Sequence, residues 1–188
     1  MKPMLTRRFV VTGGPGAGKT SLIDALEARG LPCVFESGRA IIRGQVEAGG
    51  TALPWADREA YARWMLVMDS RAHALVELLS GPVFFDRGVP DIVGYLRLCG
   101  LPIPEDLAAA ALTLHYEPLV FIAPPWPEVF TNDAERRQDF AEAVRTHAMM
   151  AQVYTELGYT LVDLPQAPVE DRVAFVLEQV LARLRTSG

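Results

Sequence analysis

Apolar residues along the chain recur in two rhythms, and the alternation between them organises everything else. Residues 9–12 form a short run of aromatic and β-branched side chains that ends in glycines, the pattern of a buried strand feeding a turn. From 21 to 29 the apolar positions return at helical spacing, and Gly30 stops them. The sequence then predicts a second strand over 31–36, a helix over 38–48 ending at Gly49 and Gly50, and a long amphipathic helix over 54–79. A third strand is expected at 83–85, helices over 90–98 and near 105–114, and a fourth strand at 119–122. Three prolines between 123 and 127 can continue neither a strand nor a helix, so a protruding, lid-like segment is expected over about 123–137. A helix should resume after Asn132 or Asp133 and run to Gly158, followed by a strand at 160–162 and a last amphipathic helix over 169–184.

Strands that alternate with helices in this way build a parallel sheet covered on both faces, with ligands beyond the carboxyl ends of the strands. The expectation is one α/β domain spanning residues 1–188, since a chain of 188 residues carries one well-buried core. No internal repeat or low-complexity tract interrupts it. The aromatic and methionine stripe of the long third helix, which includes Tyr61, Trp64, Met65 and Met68, reads as core packing.

Composition narrows the function classes. Half of the residues are hydrophobic and 22% are charged, which fits a soluble protein with a real core. A net charge of −5, with no run of lysines or arginines, speaks against a nucleic-acid partner. The apolar stretch near the N-terminus is too short for a signal peptide, and no run reaches membrane-spanning length, so neither export nor a membrane partner is expected. Cys33 and Cys99 lack metal-ligand spacing and sit among apolar neighbours, which reads as buried free thiols in a reducing cytoplasm. His73, His115 and His147 are scattered and read as ordinary surface or half-buried residues.

The chemistry concentrates after the first strand. Gly13, Gly14, Pro15, Gly16, Ala17, Gly18, Lys19 and Thr20 match G-x-x-x-x-G-K-[ST], between a predicted strand and a predicted helix that opens near Ser21. Successive amide N–H groups must turn inward around an anion there, which side chains would obstruct, and the helix N-terminus adds partial positive charge. Lys19 supplies a point charge to the β- and γ-phosphates of ATP, and the Thr20 hydroxyl is suited to Mg²⁺, a hard ion that prefers oxygen ligands. Asp86, at the carboxyl end of the third strand, is the candidate second carboxylate for the metal; the alternative is an ordinary turn or helix-capping residue. Glu36 ends the second strand, where it could accept a hydroxyl proton or hold the acceptor, or simply close the strand. Arg136 and Arg137, after the proline-rich segment, are candidates to fold over the transferring phosphoryl group from a lid. Arg87, Arg39 and Arg43 should face the same crevice; the last two, one helical turn apart, could hold an anionic acceptor or could be surface residues.

Taken together, the P-loop at 13–20, Glu36, the Phe-Phe-Asp-Arg-Gly run at 84–88, the segment 131–137 and the segment 157–165 resemble the small P-loop kinases of the nucleoside, nucleotide and shikimate type. They resemble more closely an AAA-type ATP-binding domain family that includes the ribosylnicotinamide kinase domain. The resemblance covers nearly the whole chain, and only the P-loop is a highly specific motif. It implies a three-layer α/β/α P-loop NTPase fold with a five-stranded parallel sheet and a small lid. It also implies ATP with Mg²⁺, Asp86 and Arg87 acting at metal and acceptor, lid arginines over the phosphates, and the loop 163–168 beside the adenine. The chain lacks a recognisable acceptor-base signature and a glycine-flanked lid arginine motif. Two functions therefore stand side by side at this stage: a kinase that phosphorylates a small acceptor of the nucleoside or nucleotide class, and an ATP-hydrolysing regulator that reports its bound state to another protein. The oligomeric state is left open.

Overall fold

The computed structural model describes residues 5–130 and 139–186. Five strands, β1 (Thr6–Gly13), β2 (Cys33–Val34), β3 (Gly81–Asp86), β4 (Leu119–Ala123) and β5 (Thr160–Asp163), form one sheet in the order β2-β3-β1-β4-β5. Every pairing is parallel. The helices are α1 (Lys19–Glu27), α2 (Ser37–Ala48), α3 (Arg58–Leu75), α4 (Val89–Leu98), α5 (Glu105–Thr113), α6 (Phe140–Glu156) and α7 (Val169–Thr186), with a 3-10 turn at Val76–Leu78.

The period-2 alternation of the central strands divides the core into two layers. Phe9, Val11, Phe84 and Phe121 point to one face, where they pack with Leu22, Ile23 and Leu26 of α1 and Val173, Val176 and Val180 of α7. Val10, Val83, Phe85 and Val120 point to the other, against Tyr154 of α6 and Tyr116 of the loop that enters β4. Ile92 and Leu96 of α4 meet Leu107 of α5 and Val153 of α6 further out on that side. The result is the three-layer α/β/α P-loop NTPase fold. Among the described residues no helix is long and apolar enough to cross a membrane.

Three expectations need correction. The second strand shrinks from 31–36 to Cys33–Val34, because Pro32 offers no N–H and Glu36 already serves as the N-cap of α2. The sixth helix starts at Phe140, where the Asp139 carboxylate accepts from the Glu142 N–H at 2.7 Å, and the expected start after Asn132 or Asp133 lies outside the described residues. On α3 the apolar stripe is wider than the surface that α2 and α4 cover: Tyr61 is buried, but Trp64 is 49% and Leu75 68% exposed. Cys33 and Cys99 are free as expected, but half-buried rather than buried. His73 is the most enclosed histidine, its Nε2 lying 2.9 Å from the His115 carbonyl.

Candidate functional site

The sheet order brings the carboxyl ends of β2, β3 and β1 side by side, and register arithmetic fixes which residues meet there. Val11 pairs with Asp86, so the turn that leaves β1 at Gly13 runs beside residues 87 and 88. Val34 pairs with Phe85, so Glu36, two residues beyond, lies level with Arg87, two residues beyond its partner. The contact follows: Arg87 Nε donates to Glu36 Oε1 at 3.2 Å.

The turn itself demands glycine. Gly16 and Gly18 have φ of 67° and 72°, and a Cβ on Gly16 would lie 2.5 Å from the Phe130 ring. Gly13, at φ 126°, passes so close to β4 that a Cβ would meet the Ala123 carbonyl oxygen at 2.5 Å. Gly18 then caps α1, whose first residue is Lys19. Gly16, Ala17, Gly18, Lys19, Thr20 and Ser21 line one wall of a cavity of about 430 Å³, completed by Glu36, Arg39, Arg87, Val129, Val169 and Arg172. Gly13 and Gly14 stand behind that wall, and Pro15 faces a second cavity.

Charge is tightly packed at this point. Lys19 is 6% exposed and its Nζ donates to the Gly14 carbonyl at 2.5 Å. Burial, then the neighbouring Arg87, push Lys19 down to about 7, against the pull of Asp86, Glu36 and Asp91. Burial and the nearby Glu36 push Asp86 up to about 6, opposed by Lys19 and Arg87. The Asp86 Oδ1 atom is buried with no hydrogen-bond partner among the described residues. An orphaned carboxylate oxygen near the P-loop lysine offers an oxygen ligand that a hard divalent cation fits.

Arg87 has φ 74°, the non-glycine residue with positive φ among those described, and the strain buys a three-way clamp. Besides Glu36, its guanidinium donates through NH1 to the Gly13 carbonyl at 3.1 Å and to Asp91 Oδ1 at 3.0 Å. Burial lowers its proton affinity, but Glu36, Asp91 and Asp86 outweigh that and raise it. Arg39 Nε reaches Glu36 Oε2 at 3.3 Å and faces the phosphate-side cavity, whereas Arg43 is exposed on α2 and lines neither cavity. The two therefore do not line one of these cavities together. Arg136 and Arg137 lie outside the described residues.

Three residues of this region escaped the sequence reading. Asp91, at the third position of α4, is 5% exposed and gathers four donors: Thr12 Oγ1 and the Tyr154 hydroxyl, each at 2.6 Å, and Arg87 NH1 and the Gly88 N–H, each at 3.0 Å. Its spacing from Gly88, just past Asp86 and Arg87, was the available signal. Arg172 on α7 is 6% exposed, donates to the Gly18 carbonyl at 3.1 Å and lies 6.0 Å from the Trp126 ring centre. Asp69 on α3 is partly buried and faces Ser37. Burial pushes it up to about 7, the Ser37 hydroxyl pulls it back, and Asp91 and Glu36 push it further up. Neither Arg172 nor Asp69 carries a local pattern that marks it.

Asp69 belongs to the second cavity, about 460 Å³, between α2, α3, α4 and α6. Trp55, Tyr61, Met65 and Tyr95 form its apolar side, and the Tyr61 and Tyr95 rings meet edge to face at 5.5 Å. Glu36 and Arg87 line both cavities, so the two chambers share one wall.

A family model described as an AAA domain matches residues 8–172. The chain belongs to that family. None of the curated proteins matches it. Among solved structures, this AAA-domain chain is similar to a deoxyadenosine kinase from M. mycoides with dCMP and a flexible dCDP bound, at 10% identity and TM-score 0.65, covering 93% of this chain and 99% of that one. It is similar to a shikimate kinase from Acinetobacter baumannii in complex with shikimate, at 14% identity and TM-score 0.59, over 96% and 94% of the two chains. It also resembles a NadR protein in complex with NR, at 23% identity and TM-score 0.60, over 87% of this chain but 47% of that one. The AAA-domain chain thus spans about half of the NadR chain. At these identities the likeness establishes the fold.

Proposed function

We propose that the chain is a kinase that transfers the γ-phosphoryl group of ATP to a small acceptor of the nucleoside or nucleotide class. The observation that carries this reading is the pair of cavities that meet at Glu36 and Arg87, one walled by the P-loop and the other by side chains. A nucleotide hydrolase needs only the first. The second, at about 460 Å³, has the size of a small-molecule site and opens beside the point where a γ-phosphate would lie.

In this arrangement the P-loop amides and Lys19 hold the phosphate chain, and an anion there restores the charge that burial strips from Lys19. Thr20 and Asp86 would hold Mg²⁺, which when bound neutralises charge on the phosphate oxygens. The acceptor hydroxyl oxygen forms a bond to the γ-phosphorus as the bond from that phosphorus to the bridging oxygen breaks, and the electron pair leaves on ADP. The hydroxyl proton passes to the Glu36 carboxylate, which Arg87 and Arg39 keep oriented. Arg87, held by its own carboxylate partners, supplies fixed positive charge where negative charge spreads. Arg136 and Arg137 would add cations from the segment that follows Phe130, and Arg43 stands as a surface residue. The protein acts in the cytoplasm, with no nucleic-acid or membrane partner.

ATP consumption measured against nucleosides, nucleotides and small alcohols tests the reading. Acceptor-dependent turnover that falls by at least about 10³-fold in Lys19→Ala is expected, since Lys19 is the ammonium of the phosphate cradle. Hydrolysis indifferent to every acceptor and stimulated only by a protein partner would replace the kinase by a regulatory ATPase.

A further inference from the structure

We infer that Asp91 is a positioning residue at the wall between the two cavities: its carboxylate pins one nitrogen of the Arg87 guanidinium, NH1, and so leaves NH2 to meet an oxygen of the transferring phosphoryl group. It rests on the kinase reading and gives a task to a residue which that reading does not use.

A carboxylate accepts at about four lone-pair sites and donates nothing. At Asp91 all of them are taken: Oδ1 accepts from Thr12 Oγ1 and Arg87 NH1, and Oδ2 from the Tyr154 hydroxyl and the Gly88 N–H. Asp91 lines the second cavity, but it is 5% exposed and can accept from a ligand only by releasing one of these donors. It therefore acts through them. Thr12 directly precedes Gly13 in β1, Arg87 follows β3, Gly88 is the N-cap of α4, and Tyr154 sits on α6. One buried carboxylate thus ties the strand entering the P-loop to the arginine that lines both cavities. A helix cap alone would need only the reciprocal pair at Gly88, whose carbonyl accepts from the Asp91 N–H at 2.9 Å.

What Asp91 does to Arg87 follows from which nitrogen each partner holds. A guanidinium is a flat fork, and a turn about its Nε–Cζ bond exchanges NH1 and NH2. Glu36 holds Nε, which lies on that axis, so its bond does not stop the turn. NH1 lies off the axis and is held twice, by the Gly13 carbonyl and by Asp91 Oδ1. The carboxylate carries a full negative charge and the carbonyl only a dipole, so Asp91 supplies the larger restraint. Thr12 and Tyr154, each at 2.6 Å, hold the carboxylate itself in place. The Arg87 backbone gives no help, since a side chain disfavours φ 74° and the surrounding bonds must maintain it. NH2 has no hydrogen-bond partner among the described residues, and the side chain is 15% exposed, so the free arm of the fork is the one open to a ligand.

The pin can be read without turnover. Nuclear magnetic resonance on the full, ligand-free chain with isotope-labelled arginine measures the rate of the Nε–Cζ turn, the Arg87 signal being assigned by its loss in Arg87→Ala. Asp91→Asn keeps the shape of the side chain and removes the charge, and the rate should rise at least about tenfold. With MgATP and the nucleoside that turns over fastest, kcat should fall at least about tenfold in Asp91→Asn while the KM for ATP stays within about threefold. In an Arg87→Ala background the same substitution should change kcat by less than about threefold, because the guanidinium it acts through is gone. Tyr154→Phe removes one anchor of the carboxylate and keeps the ring; it should raise the rate about threefold, and it takes the place of Asp91→Asn should that variant misfold. An unchanged rate in the folded variant, or kcat losses that multiply in the double variant, would overturn the inference and leave Asp91 as a helix cap. A wild type that transfers phosphate to no acceptor would refute the kinase reading, and the rate of the turn would still decide whether Asp91 pins Arg87.

Discussion

The two chambers that meet at Glu36 and Arg87 are close in volume, about 430 and 460 Å³, yet they are made in opposite ways. The phosphate-side chamber is built from backbone. Its wall comes from six consecutive residues, 16–21, in a turn whose Gly13, Gly16 and Gly18 take positive φ and whose Gly13 and Gly16 pass close to Ala123 and Phe130, and its arginines are carried by elements that flank it. The second chamber is built from side chains, most of them on four helices, with carboxylates and aromatic rings among them. A site of the first kind serves one ligand chemistry and tolerates little change. A site of the second kind can be rebuilt one side chain at a time, which is how one fold comes to host many acceptors.

That contrast can be broken most sharply at the buried carboxylate beside Lys19. Asp86→Asn keeps the shape of the side chain but removes the carboxylate whose Oδ1 lies orphaned. A drop in kcat of roughly 10²-fold or more is expected, with a higher Mg²⁺ requirement and unchanged nucleoside affinity. Steady-state rates across a Mg²⁺ series check this, and an unchanged metal dependence would remove Asp86 from the site.

A smaller effect should follow from Arg172, which spans α7 and the P-loop. Arg172→Ala removes its bond to the Gly18 carbonyl and should raise the KM for ATP about tenfold, leaving the KM for the acceptor alone. Equal changes in both constants would show that the two chambers are not separable in this way.

The smallest effect is one of stability on the acceptor side. Burial holds Asp69 near 7 in the folded chain against an ordinary value of 3.8; Ser37 and Arg87 oppose the rise, and Asp91 and Glu36 add to it. Between those values the folded chain retains a proton that the unfolded chain has released, so stability contributed at this position falls as pH rises through roughly 4 to 7. Above pH 7 the ligand-free Asp69→Asn variant should be more stable than wild type by roughly 1 kcal/mol, a difference that vanishes near pH 4. Urea denaturation at the two pH values reads it, and a wild-type advantage at pH 8 would contradict the origin assigned to the shift.

What could be read from the amino-acid sequence follows the same division. The P-loop was legible because its chemistry is local: glycine spacing, one lysine and one hydroxyl residue, bounded by a strand and a helix. Glu36, Asp86 and Arg87 were legible as residues that close strands, since parallel strands present their carboxyl ends together, and the register then sets Glu36 level with Arg87. The order of strands was not legible, because no periodicity records which strand lies beside which. Asp69 stayed hidden within a helix whose periodicity marked its apolar stripe, and Arg172 within another. Each gains its place only when α3 folds over α2 and α7 over the P-loop. The Arg39 and Arg43 pair marks a limit of the same reading: spacing of one turn makes two side chains neighbours on a helix, but of the two only Arg39 lines a cavity.

The account turns on whether phosphate leaves the first chamber for a molecule held in the second. Incubating the chain with ATP labelled at the γ-phosphate and the nucleoside that binds most tightly, and then separating the products, reads the destination of the label. Label on the nucleoside hydroxyl, formed in step with ADP and absent in Lys19→Ala, is the predicted result. Label released only as inorganic phosphate, at a rate that no nucleoside alters, would contradict it.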